Sequence, residues 1–401
     1  ILCSDWSSDV CSSDLTSWVG IDEVCEEKVS MKTRILFLIH DLGPGGAEKV
    51  LVNLVNNMDR SKFDITLLSL FAGGINEQFL KSDIHYRTIF SRTFRGNIHV
   101  MKLLSPQQLH RFFIRETYDI EIAYLEGPSA RIISGCPDEN TKLVSWIHIQ
   151  QKSARSTARS FRSVQEATSC YDRFHRIIAV SEEVKKKFLA ALPATAPVEV
   201  LYNTNESKQI LTQSSEPVEG GLFSSQEFKI IGVGKLLKSK GFDRLARIIS
   251  ELKKDGYPVH FYILGIGPLQ QELEQYIADN HLEHQITLLG YKTNPYKYVS
   301  KCDLFVCASF AEGFSTAATE ALIVGTPVCT VEVSGMKEML GEHNEWGIVT
   351  ENSEEALYQG IKDLIDHPDK LAYYKERAIE RGKTFSTENT VRAVEEMLLG
   401  L

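Results

Sequence analysis

From residue 34 onward, short β-branched and apolar runs alternate with segments of helical periodicity, a pattern that restricts the chain to α/β architectures built on parallel sheets. RILFLIH (34–40), FDITLLSL (63–70), DIEIAYL (119–125), KLVSWIH (142–148) and RIIAVS (176–181) read as strands of one sheet. FKIIGVG (228–234), VHFYILG (259–265), QITLLG (285–290), DLFVCAS (303–309) and TPVCTV (326–331) read as strands of a second. Residues 203–227 between the two series are polar and nearly aperiodic, so a linker or hinge is expected there. Residues 353–400 are mainly helical in pattern, interrupted at His367-Pro368 and at 385–387. The expected organisation is a Rossmann-like domain over 31–205, a linker at 206–227, a second Rossmann-like domain over 228–384, and a last helix at 385–401 packing back on the first domain.

At 401 residues the chain is long enough for two cores, and 43% hydrophobic with 24% charged residues is ordinary globular composition. Residues 1–30 read differently. ILCSDWSSDVCSSDL repeats SSD without periodicity and lacks a signal peptide's basic start and apolar run, resembling translated adapter or vector sequence. Residues 1–30 are therefore expected to be non-native or disordered, with Met31 as the natural start. Three cysteines (Cys3, Cys11, Cys25) fall in that segment; Cys136, Cys170, Cys302, Cys307 and Cys329 follow without CxxC spacing, which predicts a reduced, cytoplasmic protein. No run of about 18 apolar residues is present to span a bilayer.

The formal net charge of −9 is unevenly spread. Residues 1–30 carry 1 basic and 7 acidic side chains, residues 31–205 carry 23 and 17, and residues 206–401 carry 20 and 29. The amino half is thus the basic one. No aromatic stripe accompanies its basic residues, so nucleic acid is not an expected partner. An anionic membrane surface or a lipid phosphate is. Met101–Arg115 combines apolar residues with Lys102, Arg111 and Arg115, and a second basic cluster follows at Lys152, Arg155, Arg159 and Arg162. A helix with such faces can rest on an anionic membrane or serve as an ordinary amphipathic core helix.

Four loops carry chemistry. His40-Asp-Leu-Gly-Pro-Gly45-Gly46-Ala-Glu48 follows the first strand and opens a helix whose N-terminal amides favour phosphate; the same glycines equally suit a plain tight turn. Gly232-Val-Gly234-Lys235-Leu-Leu-Lys-Ser-Lys240-Gly241 places two lysines at the carboxyl end of a strand, where open α/β sheets bind ligands. Gly265-Ile-Gly267-Pro268 resembles a dinucleotide fingerprint, but Gln270 stands at the third glycine position, which disfavours a nicotinamide enzyme. Ser309-Phe-Ala-Glu312-Gly-Phe314-Ser315-Thr316-Ala-Ala-Thr-Glu320 sets two glutamates eight positions apart around a helix start near Ser315. The amides of Phe314, Ser315 and Thr316 are then among the unpaired donors of that helix.

In that order and with those intervals, the Gly-Gly-Ala-Glu loop, the Gly-Lys-Leu…Lys-Gly loop and the Glu-x7-Glu segment resemble the GT-B retaining glycosyltransferases of family 4. The likeness covers residues 31–401, including Tyr202-Asn203, Gly325-Thr-Pro327-Val and Glu338. It implies two Rossmann-like domains facing a central cleft. Glu312 is implied beside the transferred sugar, Glu320 on the nucleotide ribose, and Lys240 with Lys235 on the diphosphate. Lys235 stands where an arginine is common, keeping the charge without the planar fork. The resemblance further implies a nucleobase near Gly290-Tyr291-Lys292, and His148 facing the donor sugar and acceptor.

It implies a retaining transfer of a sugar, UDP-linked in expectation; the apolar and basic faces of 101–115 and 152–162 make a glycan or lipid-linked glycan the expected acceptor. Envelope or capsular polysaccharide synthesis is the expected setting, at the inner face of the plasma membrane. No Asp-x-Asp or HExxH is present, and His281 and His284 read as helix-surface residues, so neither metal nor cofactor is expected. A sugar-nucleotide epimerase of like architecture and a non-catalytic sugar-nucleotide binder are the rival readings. Product analysis separates the first, and turnover the second.

Overall fold

In the computed structural model, which describes residues 32–223 and 226–401, the apolar runs form two all-parallel sheets. The expectations for residues 1–30 and Met31 lie outside the described residues. The first sheet contains β1 (Thr33–Ile39), β2 (Phe63–Phe71), β3 (His85–Phe90), β4 (Ile120–Ala123), β5 (Lys142–Ile147), β6 (Arg176–Ala179) and β7 (Val198–Val200). Its order is β3-β2-β1-β4-β5-β6-β7. The second contains β8 (Phe228–Val233), β9 (Val259–Leu264), β10 (Ile286–Gly290), β11 (Leu304–Cys307), β12 (Val328–Val331) and β13 (Ile348–Thr350), ordered β10-β9-β8-β11-β12-β13.

Both orders reverse at the first strand of the series. In the first sheet β1 lies between β2 and β4, with Ile35 opposite Ile65 on one side and Ile120 on the other. In the second, β8 lies between β9 and β11. Such reversals open a crevice beyond the strands' carboxyl ends. Central strands are covered on both faces, which explains their continuous apolar runs: Ile35 through Ile39 are at most 1% exposed.

Three strands not expected from sequence, β3, β7 and β13, all lie at sheet edges. The expected linker also needs correction. Ser207–Ser214 is a helix with Ile210 buried, packed against the helices Tyr296–Val299 and Thr316–Val324. The Ser300 hydroxyl donates to the Ser214 carbonyl at 2.8 Å, fixing it to the second lobe.

The chain crosses between lobes twice, and the crossings touch. The Ser207 amide donates to Thr387 Oγ1 at 2.9 Å, and that hydroxyl donates to the Asn205 carbonyl at 2.7 Å. After the second crossing, the helix Thr387–Leu399 lies against the helix Gly46–Asn57 of the first lobe. There Glu395 accepts from the Asp59 amide at 2.6 Å and from Lys62 at 3.2 Å.

The stretch 101–115 is not one helix. Pro106 opens a new helix, Pro106–Phe113, behind the shorter Asn97–Met101. Ser105 caps it, accepting from the Gln108 amide at 3.2 Å while the Gln108 side chain accepts from the Ser105 amide at 2.8 Å. Buried Arg131 donates to the carbonyls of Met101 and Leu104, and Arg162 to those of Lys102 and Leu103. Arg162 is therefore an anchor of this segment. His281 and His284 follow the end of the helix Gln270–Asp279 in a turn, His281 with φ 54°, and do not lie on a helix surface.

Candidate functional site

The loop after β8 and the loop after β11 meet at the second sheet's reversal. A Cβ on Gly241 would lie 2.1 Å from the Ala308 carbonyl oxygen, so glycine is required for the loops to touch. The Phe310 amide donates to the Ser239 carbonyl at 2.8 Å. This contact brings Lys240 Nζ to 2.6 Å from Glu312 Oε1, which also accepts from Ser309 Oγ at 2.6 Å. Gly265 and Gly267 serve the same packing: a Cβ on either would strike the carbonyl oxygen of Gly234 or Leu236, at 1.8 and 2.5 Å.

Beyond Glu312 the chain turns toward the other lobe. A Cβ on Gly313 would lie 1.9 Å from the His148 carbonyl oxygen, and Ser181 Oγ donates to the Gly313 carbonyl at 3.3 Å. Asn203 donates to the Phe314 carbonyl at 3.3 Å, and the Phe314 ring stacks on Tyr202 with centroids 5.1 Å apart. Tyr202 OH in turn donates to Glu338 Oε1, while Glu338 Oε2 accepts from the Glu182 amide, both at 2.8 Å. Glu338 thus ties the second lobe to the first turn of the helix Glu182–Ala191, and burial raises its carboxyl above the ordinary value.

Ser315 caps the helix Thr316–Val324 through the Ala318 amide, and the amides of Phe314, Ser315 and Thr316 make no hydrogen bond among the described residues. Glu320, one helical turn further on, is buried. Its Oε1 accepts from Lys49 Nζ at 2.5 Å and from Tyr296 OH at 3.3 Å. Lys49 belongs to the Gly46–Asn57 helix of the opposite lobe, so this pair also crosses the cleft.

On the first lobe's wall, His148 follows β5 and packs against the Tyr124 ring at 4.8 Å. It is 7% exposed, and its Nε2 has no hydrogen-bond partner among the described residues. Burial lowers its pKa to about 3, so the imidazole is neutral. Glu126 holds the turn around it, accepting from the amides of His148 and Ile149, each at 3.2 Å. Burial raises the Glu126 carboxyl.

Gly45 N-caps the helix Gly46–Asn57, and Gly46 faces Thr316 of the other lobe, 3.4 Å from where its Cβ would sit. The Glu48 carboxylate folds back over this turn: a Cβ on Gly45 would lie 2.0 Å from Glu48 Oε2. The space beside Gly45 is thus taken by the chain's own acid. Burial raises the Glu48 carboxyl, and the charges of His40 and Lys235 pull it partly back. Lys235 is exposed on the loop that also carries Gly234.

Lys240, Glu312, Phe314, Ser315, Thr316, Glu320, Gly46 and His148 therefore converge where the lobes meet. Tyr291 does not join them by contact. It is 49% exposed after β10, two strands from β8 at the sheet's far edge. Lys49, Tyr296, Glu126 and Ser309 belong to the cluster but carry no spacing signal. Among the described residues, His110, Glu121 and Cys136 are the one group of metal-ligating type whose ligand atoms lie within 4.8 Å of one another. They are buried in the first lobe and share no residue with the cleft; His110 Nε2 and Glu121 Oε2 are 2.8 Å apart.

Residues 44–204 match the family model described as Glycosyltransferase Family 4, and residues 218–381 match Glycosyl transferases group 1. The chain is 28% identical over 372 residues to the N-acetylgalactosamine-N,N'-diacetylbacillosaminyl-diphospho-undecaprenol 4-alpha-N-acetylgalactosaminyltransferase of Campylobacter jejuni, covering 90% of this chain and 98% of that one. It is 21% identical over 369 residues to the lipopolysaccharide core biosynthesis glycosyltransferase LpsD of Rhizobium meliloti, covering 90% and 96%. The crystal structure of Anabaena HepE in complex with UDP and glucose matches with a TM-score of 0.74 at 22% identity, covering 92% of this chain and 100% of that one, a likeness of fold.

Proposed function

This chain belongs to the group 1, family 4 glycosyltransferases of GT-B fold, and from that premise we propose that it moves a sugar from UDP to a glycan or lipid-linked glycan acceptor with retention at the anomeric carbon. The observation that carries the reading is the Lys240–Glu312 pair, set one helical segment from Glu320 at the reversal of the second sheet. Breaking the sugar–diphosphate bond leaves negative charge on the departing phosphate, and fixed donors placed there stabilise that charge as it develops. Lys240, Lys235 and the amides of 314–316, which have no partner among the described residues, supply them, without a metal. A bound diphosphate draws Lys240 away from Glu312, whose carboxylate then accepts from the sugar hydroxyls.

The C1–O bond to phosphate breaks as the acceptor oxygen bonds to C1 on the same face, and the acceptor proton passes to the departing phosphate oxygen. Neutral His148, with Nε2 unpartnered, is suited to a hydrogen bond with the sugar and unsuited to holding a positive charge. Contact between Gly313 and the His148 carbonyl closes the cleft against water.

The acceptor reading draws on the Campylobacter relative, whose name includes a diphospho-undecaprenol carrier. It also draws on residues 84–115, which contain six Lys and Arg and no Asp or Glu. Val100 of the Asn97–Met101 helix, Leu103 of the turn that follows it and Phe112 of the Pro106–Phe113 helix face outward, 54%, 78% and 69% exposed. A run of ring contacts, His40–Phe71, Phe71–Phe94, Phe90–Phe94 and Phe90–Phe113, joins this face to the loop before Gly45. We assign it to an anionic membrane at the cytoplasmic side, from which a lipid-linked acceptor enters.

Calorimetric titration with sugar nucleotides, then mass and anomeric proton analysis of products formed on a lipid-diphosphate-linked glycan, tests the reading. Transfer with a retained anomer, undiminished by a chelator, is expected. Binding without turnover on any acceptor points instead to a sensor, and release of an isomerised sugar to an epimerase. Cosedimentation with anionic vesicles, weakened by salt and by Leu103→Asp, tests the membrane face; no binding at any salt removes it.

A further inference from the structure

Glu320 is held asymmetrically. Lys49 Nζ and Tyr296 OH both reach its Oε1, at 2.5 and 3.3 Å, and Lys49 Nζ is itself 2.8 Å from Tyr296 OH. Oε2 has no partner among the described residues. A carboxylate accepts through both oxygens, so one is anchored and the other left for an incoming hydroxyl. The anchor comes from across the cleft: Lys49 lies in the first turn of the Gly46–Asn57 helix, and Glu320 and Tyr296 belong to the second lobe.

Nothing in Lys49's own helix accounts for a cation there. The amino end of a helix carries partial positive charge, which disfavours lysine in its first turn. Its favourable interaction is with the far lobe. Burial alone would lower the Lys49 pKa, and the charges and hydrogen bonds of Glu320 and Tyr296 together more than offset this, raising it above the ordinary lysine value. The ammonium therefore persists as a fixed partner. Tyr296, 6% exposed, closes the triangle and limits the directions in which the ammonium can point.

We propose that Lys49 and Tyr296 are positioning residues that orient Glu320 Oε2 toward the nucleotide ribose, so that recognition of the ribose hydroxyls depends on a residue of the opposite lobe. The proposal rests on the reading of Glu320 as the ribose acceptor. Ribose recognition is then complete only when the lobes are together, and occupancy of Glu320 favours the closed arrangement. If Lys49 merely blocked Glu320, its removal would strengthen nucleotide binding; as an orienting group, its removal weakens it.

The test uses the full chain and calorimetric titration with UDP, GDP and ADP, each compared with its 2′,3′-dideoxy analogue. For the tightest nucleotide, Lys49→Ala is expected to weaken binding about tenfold, the effect of losing a charge-assisted hydrogen bond. Affinity for the dideoxy analogue should change less than about twofold, because the oriented oxygen has nothing to accept from. Lys49→Arg should restore most of the discrimination, and Tyr296→Phe should lose part of it at unchanged melting temperature. A general structural defect moves both ligands together and is not rescued by arginine. Equal losses for the two ligands in both Lys49→Ala and Tyr296→Phe, or tighter binding in Lys49→Ala, overturn the proposal. Loss of discrimination in Glu320→Gln alone overturns it while leaving the functional reading intact. Failure of the wild type to bind any of the three nucleotides overturns both.

Discussion

The two walls of the cleft are built differently. On the second lobe, charged groups hold one another: Lys240 and Ser309 both reach Glu312 Oε1 at 2.6 Å, on loops fixed by glycines. On the first lobe the cleft presents a neutral, buried imidazole whose Nε2 has no partner among the described residues, on a turn held through its backbone by Glu126. The first arrangement suits a ligand whose charge grows during reaction, because the cations are in place beforehand. The second suits hydroxyl groups, which need acceptors and donors without a net charge.

The strongest way to break this comparison is to remove its charges. Lys240→Ala is expected to lower kcat by about a hundred- to a thousandfold, together with weaker nucleotide affinity. Glu312→Ala should lower transfer comparably while nucleoside diphosphate affinity changes by less than about threefold. Steady-state rates and calorimetry check both, and unchanged activity in the pair removes the division of labour. Gly313→Ala tests the seam between the walls. The added methyl meets the His148 carbonyl, and a fall of about tenfold or more in kcat/KM is expected with nucleotide affinity little altered.

His148→Asn sharpens the contrast from the neutral side, with an expected loss of about tenfold in kcat from one hydrogen bond. Burial holds the imidazole at about 3, so it is neutral over the whole interval of about pH 5 to 8, and wild type and variant should share one pH-rate shape. A limb near the ordinary histidine value that vanishes in the variant refutes the neutral wall. The smallest effect concerns Glu126. Its folded-state pKa lies above the ordinary 4.5, so its favourable contribution is complete below that value and is lost as pH rises through the folded pKa. Glu126→Gln cannot ionise, but its NH2 would face one of the two amide N–H groups that Glu126 accepts from, so its melting temperature should lie below the wild type at acid pH and the gap should narrow toward neutral pH. Equal melting curves at every pH exclude this effect.

The central strands were legible because two-sided burial leaves continuous apolar runs, as at Ile35–Ile39. β3, β7 and β13 were not, since edge strands are half exposed and short: HYRTIF has no fully buried residue, and VEV and IVT span three residues each. The helix Ser207–Ser214 was read as linker because a single residue, Ile210, supplies its fully buried apolar contact. In the site, Glu312 and Glu320 declared themselves by spacing around a helix start, and Lys240 by its place after a strand. Lys49 and Tyr296 did not, since their meaning lies in each other, 247 positions apart. The glycines at 265 and 267 look like ligand-binding residues in sequence, yet they answer a need of loop packing.

The paired crossings at Ser207 and Thr387 have a mechanical consequence. Two adjacent tethers define an axle, about which the halves can swing while sliding and twisting are resisted. Because the final helix returns to the first half, one backbone cut between 215 and 223 would leave the halves still joined through Thr387. A protein nicked there should elute as a single particle under native conditions and separate into two fragments only once unfolded.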